Sequence, residues 1–310
     1  MKHQSILKWL VPPIGVLALF AAAMGLFYQT PGEPYPYTNH RGETVMINGH
    51  GLYYYDTVST AAQMQGNDEI TLAVGLPLLA VSAWLAFRGS PPGAVPARSA
   101  GASVRGQLLL TGTLGFFLYT YLSMSMLTAY NALFLVYVAA FTLSLYAFIL
   151  SMLSIDLKRL PEHFSPRLPR GWIAGTLFAA GGFLGLAWLG RIVPPLLQGG
   201  TPALENTTTL VIQTMDLGLV GPLASLAGIL LLRRTAWGYL LASVAVLKGL
   251  TMALAVSAMG LNMILAGVPD SPAILIPFLI LTGLNLVMAV LLLRNIQTPP
   301  AGASSASYSQ

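Results

Sequence analysis

The chain has 310 residues, of which 55% are hydrophobic and only 8% charged, with a formal net charge of +5 and a mean hydropathy of +0.70. A soluble domain carries roughly 25% charged residues, so the solvent for most of this protein is lipid. The absence of cysteine removes disulfides, thiolate metal centres and cysteine nucleophiles, and basic residues placed at helix ends, without interleaved aromatics, exclude a nucleic-acid partner.

In chain order, eight apolar stretches reach the roughly 17–25 residues needed to cross a bilayer. They are predicted near 6–28, 70–87, 107–127, 132–155, 172–190, 209–232, 235–259 and 272–293. The first follows a basic N-terminus and outruns a signal-peptide core of roughly 7–15 residues, so it is read as an uncleaved anchor. The outer loop 29–69 carries the pattern of two short strands, Val45-Met46-Ile47 and Leu52-Tyr53-Tyr54-Tyr55, around the turn Asn48-Gly49-His50-Gly51. Asn67 or Asp68 is placed to cap the second span. Residues 88–106 and 156–171 read as inner connectors, 191–208 as a second outer segment, and 295–310 as a small-residue tail without stable structure.

Orientation follows from the basic residues. Lys2, Lys8, Arg88, Arg98, Arg105, Lys158, Arg159, Arg167, Arg170, Arg233, Arg234 and Arg294 fall on one side of the eight spans, whereas Arg41 and Arg191 fall on the other. The rule that short cytoplasmic loops are rich in Lys and Arg then puts both termini inside. Trp9, Trp84, Trp172 and Trp237 mark the inner interface as an aromatic belt.

A duplication is visible. Val74-Gly75-Leu76-Pro77 and Val220-Gly221-Pro222 each precede an apolar stretch that ends in arginine, Arg88 or Arg233, and a further span begins near Gly106 or Gly238. This implies a four-plus-four parallel repeat: residues 1–155 with the outer loop 29–69, then residues 156–294, then the tail 295–310.

Two ionisable residues inside spans stand out, Asp216 and Lys248. At 1.5 Å per residue they lie about 26 Å and about 21 Å from the arginines at the turn joining their helices. A lysine stem covers that difference, so an ion pair in the outer leaflet is geometrically open. Gln213 lies on the Asp216 face and Thr251 on the Lys248 face by their three-residue spacing. Tyr119 and Tyr121, with Thr120, Ser123 and Ser125, sit at similar depth in the third span and could complete an outward pocket. The bland alternative is a helix-pinning salt bridge with hydroxyls acting as packing contacts. His40, Glu43, His50 and Asp56 fit no zinc spacing, no cofactor motif is present, and an enzyme would have no visible base beyond Asp216.

Arg41-Gly42-Glu43, Gly51-Leu52-Tyr53, Tyr55-Asp56-Thr57, Asp216-Leu217-Gly218-Leu219 with Pro222, and Arg233-Arg234 before Trp237-Gly238-Tyr239 resemble a group of uncharacterised prokaryotic multi-pass membrane proteins. That resemblance implies a prokaryotic plasma membrane and no particular activity. The sequence thus specifies an all-α, eight-span bundle with a small β-like outer cap. Its functional reading is a small-ligand binding or permeation module at Asp216 and Lys248, contacting the lipid bilayer and a small-molecule or lipid ligand. The rival is a non-catalytic scaffold or accessory subunit that meets a membrane-protein partner.

Overall fold

The computed structural model describes residues 3–88, 96–268 and 275–297, with the backbone alone at 96–103. Among these residues are eight helices long and apolar enough to cross a membrane: α1 (Gln4–Phe27), α2 (Val58–Phe87), α3 (Pro96–Leu127), α4 (Phe134–Leu153), α5 (Arg170–Leu197), α6 (Val211–Leu232), α7 (Ala236–Leu265) and α8 (Leu275–Arg294). The chain is an all-α membrane bundle with one small two-stranded sheet. Trp9, Trp84, Trp172 and Trp237 are all exposed on its exterior, where amphipathic rings can reach a membrane interface.

α1 to α4 pack in a ring, α5 to α8 in a second ring, and α2 and α3 both meet α7 where the rings join. The second ring is looser because α5 and α8 touch little. Glycine lets α3 press on α2 and α7 press on α6. A side chain at Gly106 would overlap the Leu85–Ala86 backbone, and one at Gly238 would overlap Leu230–Leu231.

α2 and α6 share a second device. Each carries a π turn, Thr71–Gly75 and Asp216–Val220, immediately before a proline-containing α segment, Leu76–Phe87 and Gly221–Leu232. A proline inside a helix lacks an N–H and crowds the carbonyl four residues back. The extra residue of a π turn relieves that conflict without ending the helix.

α2 starts twelve residues before the apolar stretch predicted for it. Its cap is Thr57, whose side chain accepts from Thr60 N–H at 3.1 Å. Asn67 and Asp68, expected to cap, are buried inside the helix. A polar run of Gln, Asn, Asp and Glu resembles a loop in sequence, yet here it is helical and extends under the outer cap.

The outer strands also differ from expectation. β1 (Tyr35–Thr38) pairs antiparallel with β2 (Thr44–Ile47), Tyr35 opposite Ile47 and Thr38 opposite Thr44. The turn between them is built by Asn39, whose side-chain oxygen accepts from Arg41 and Glu43 N–H at 2.9 and 3.1 Å, and by Gly42 at φ +82°. Pro36 is tolerated because a two-stranded sheet has only edge strands. Past Asn48–Gly51 the chain makes a single bridge, Ile47 to Thr57, and Leu52–Tyr55 stays a turn.

This cap is tied to the helix ends. Thr57 and Thr60 hydroxyls donate to the Glu205 carboxylate, Asn39 donates to the Glu205 carbonyl at 2.6 Å, and Asn206 donates to the Tyr55 carbonyl at 2.7 Å. The Asp56 carboxylate accepts from Ala129 N–H at 2.8 Å. At the opposite end of the bundle, Asn295–Gln297, the first residues of the expected tail, are structured. Ser165 N–H donates to the Asn295 carbonyl at 2.8 Å and Gln297 N–H to that of His163 at 2.6 Å. The rest of that tail, 298–310, lies outside the described residues, as do 89–95 of the expected connector.

Two outcomes follow. Gly238→Ala drives a methyl into backbone that cannot step aside, and is expected to cost about 1–3 kcal/mol. Gly185→Ala, with nothing within 4 Å of its added carbon, is expected to leave the melting temperature of the purified protein unchanged. The second concerns Asp56, which lies outside the spans and is 1% exposed. Burial pushes its carboxyl up from 3.8 to about 7; the Ala129 hydrogen bond opposes this and the nearby Glu205 adds to it. The folded chain therefore holds this proton more tightly than the unfolded chain does. Its stabilisation is complete below pH 3.8 and lost as pH rises to about 7. Melting curves taken across that window should show stability falling for the wild type and a flatter profile for Asp56→Asn.

Candidate functional site

α6 and α7 run antiparallel from the Arg233–Thr235 turn, where Arg234 adopts φ +57°. Asp216 opens the π turn of α6 and is 6% exposed. Its two oxygens are held from two helices: Tyr119 of α3 donates its hydroxyl to Oδ1 at 2.7 Å, and Trp188 of α5 donates its indole N–H to Oδ2 at 2.9 Å. Lys248 of α7 does not reach this carboxylate. Its Nζ instead sits over the Tyr119 ring, 4.0 Å from the centroid.

The direct Asp216–Lys248 contact expected from depth is therefore replaced by a three-part arrangement. Tyr119 offers its hydroxyl to the acid and its π face to the ammonium. A ring in this position satisfies the carboxylate with a donor and the cation with a quadrupole, so neither charge needs the other within bonding distance.

Of the six residues singled out from sequence, the structure brings together Asp216, Lys248 and Tyr119. Gln213 is buried on α6 but is absent from the cavity wall described below. Thr251 is buried and gives its hydroxyl to the Lys248 carbonyl at 2.9 Å. Tyr121 points to the first ring of helices, stacked between Phe117 and Tyr137 with centroids 6.4 Å from each. Residues two apart on a helix face away from each other, so Tyr119 and Tyr121 could not have shared one pocket. The neighbouring hydroxyls are also committed to backbone: Ser123 to Thr120, Ser125 to Leu122 and Thr128 to Met124.

What is present is an apolar cavity of about 450 Å³ bounded by α3 to α8. Leu, Ala, Val, Met and Phe side chains make most of its wall, with Tyr119, Lys248 and Asn285 as its polar members. Lys248 is the single charged residue lining it. Asn285 is turned back on its own helix, its Nδ2 donating to the Leu281 carbonyl at 2.8 Å. The Lys248 ammonium has three donors, and no carboxylate among the described residues lies within 4.0 Å of it. No group of three or more His, Cys, Asp or Glu that could hold a metal ion occurs among the described residues.

Sequence reasoning missed Trp188 and the cavity. Trp188 did carry a signal: an indole N–H deep in an apolar span needs an acceptor, and Asp216 was the acid at hand. The cavity carried none, because it is the space left where α5 and α8 touch little beyond the Phe183–Phe278 ring pair.

Fold and site together define a multi-pass membrane protein with a charged group set against an apolar chamber. No protein-family model matches the chain, and no match was found among curated proteins or solved structures.

If Tyr119 is the mediator, Tyr119→Phe keeps the ring under Lys248 but strips a donor from a buried carboxylate, an expected loss of about 1–3 kcal/mol. In double-mutant cycles read by unfolding in detergent, Tyr119→Phe with Asp216→Asn should show the larger coupling, and Asp216→Asn with Lys248→Met the smaller.

Proposed function

We propose that this protein binds an amphiphile bearing one acidic group, its apolar body in the chamber between α3 and α8 and its head on Lys248. The observation that carries this reading is the pairing of a single ammonium, with no carboxylate in direct contact, with an otherwise apolar cavity of about 450 Å³, a volume in the range of small-molecule sites. A charge in such surroundings is costly unless something pairs with it. The Tyr119 face meets one side of the ammonium, and its remaining donors suit a carboxylate or phosphate. The wall continues inward through Leu241, Val244 and Ala245, which offers no hydrophilic route for a permeating ion. Binding is thus favoured over permeation.

The reading includes the setting. The bias of Lys and Arg to one set of loops supports both termini on the cytoplasmic side. Matching π turns and matching turn glycines support 1–155 and 156–294 as parallel repeats, the second opened to form the chamber.

Purified full-length protein in nanodiscs, titrated with radiolabelled palmitate and with hexadecanol, tests it. Palmitate is expected to bind the wild type at least tenfold more tightly than hexadecanol, a difference of about 1.4 kcal/mol. Lys248→Met should erase that preference, and Ala245→Trp should reduce uptake of both by filling the chamber. Equal binding of the two probes to the wild type, or an unchanged palmitate affinity in Lys248→Met, would refute the proposal.

A further inference from the structure

A second acid is buried in the first ring of helices. Asp68 of α2 is 1% exposed and accepts the Tyr53 hydroxyl at 2.6 Å. α1 closes over it, since a side chain at Gly25 would overlap the carboxylate. The charged residue acting on it is Glu69, another acid. An ionised carboxylate held this way needs a positive charge or a proton from outside the protein's own side chains.

The surroundings supply oxygens without partners. Asn67 Oδ1 and Thr71 Oγ1 are buried and unbonded, as is Thr120 Oγ1 on α3, and the Tyr137 hydroxyl of α4 stands beside Tyr53 and Asn131. Asn67 and Thr71 are four apart and Asp68 and Thr71 three apart, which places them on one side of α2. Gly75 of α2 packs on the Phe116 ring of α3. The two helices run in opposite directions, so Thr71, one turn outward from Gly75, stands level with Thr120. Thr71 also opens the π turn, and π turns recur at functional sites. The donor set is all oxygen, with one negative charge and no imidazole or thiolate.

We propose that α2, α3 and α4 form a binding site for a hard monovalent cation, with the Asp68 carboxylate, the Asn67 side-chain carbonyl and the Thr71 hydroxyl as ligands and Thr120 at its edge. A divalent ion is disfavoured because calcium takes roughly six to eight oxygen ligands with several carboxylates, and magnesium keeps several waters that a helix-packed site has little room for. The site is separate from the Lys248 chamber and does not depend on what that chamber binds.

Melting of the full-length protein in detergent, in chlorides of sodium, potassium, lithium and N-methyl-D-glucamine at equal ionic strength, tests the assignment. At a hundredfold excess over Kd, one small inorganic cation should raise the wild-type melting temperature by on the order of 5 °C relative to N-methyl-D-glucamine, saturably. Asp68→Asn should abolish the response, whereas Lys248→Met should retain it. Should Asp68→Asn fail to fold, Thr71→Val serves in its place. The half-saturating concentration should then rise at least about threefold, although removing an unbonded buried hydroxyl would leave a cation-free core unharmed. A melting temperature indifferent to the cation, which is the behaviour of a protonated Asp68 or of trapped water, overturns the proposal. So does a full cation response in Asp68→Asn.

Discussion

Polar groups surrounded by hydrocarbon must find their partners within the protein, and the arrangement of this bundle follows from how that demand is met. Most hydroxyls in the spans meet it locally, bonding a carbonyl one turn earlier, as Thr113 does with Leu109 and Ser257 with Ala253. Asp216 cannot do so. It draws in a tyrosine from α3 and a tryptophan from α5, so one carboxylate fixes the relative rotation of three helices. The ring of Tyr119 then holds the ammonium of Lys248 from α7, which adds a fourth.

The two rings solve the same backbone problem with different side chains. In each, a proline is absorbed by a π turn in its second helix, and a glycine lets its third helix lie close to that second helix. Beside the π turn the first ring places Asn67, Asp68 and Thr71, closed by α1. The second ring places Asp216, held by Tyr119 and Trp188 beside a chamber whose charged lining residue is Lys248. Similar frames thus carry a buried acid in one ring and a lysine-lined chamber beside the other.

The eight spans were legible because apolar runs and terminal arginines are one-dimensional signals. Depth was legible too, and it placed Asp216 and Lys248 at comparable heights. Rotation about each helix axis was not, and that coordinate decides whether two charges touch or take a tyrosine between them. Asp68 was hidden for another reason. Its neighbours Gln63, Gln65, Asn67 and Glu69 read as loop, and only the packing of α2 against α1 and α7, with Gly66 against the Ala258–Met259 backbone, makes that stretch helical. In the outer cap the Asn48-Gly49 turn drew the strands one segment too far along, because Pro36 disguised Tyr35–Thr38 as irregular chain.

Tyr119 and Tyr121 belong to one continuous helix and look in opposite directions, the first into the Lys248 chamber and the second toward Asp68. α3 is accordingly a partition with an instrument on each side. The rotation of α3 that brings Tyr119 to Asp216 is the same rotation that turns Tyr121 between Phe117 and Tyr137, so one setting of a single helix serves both rings.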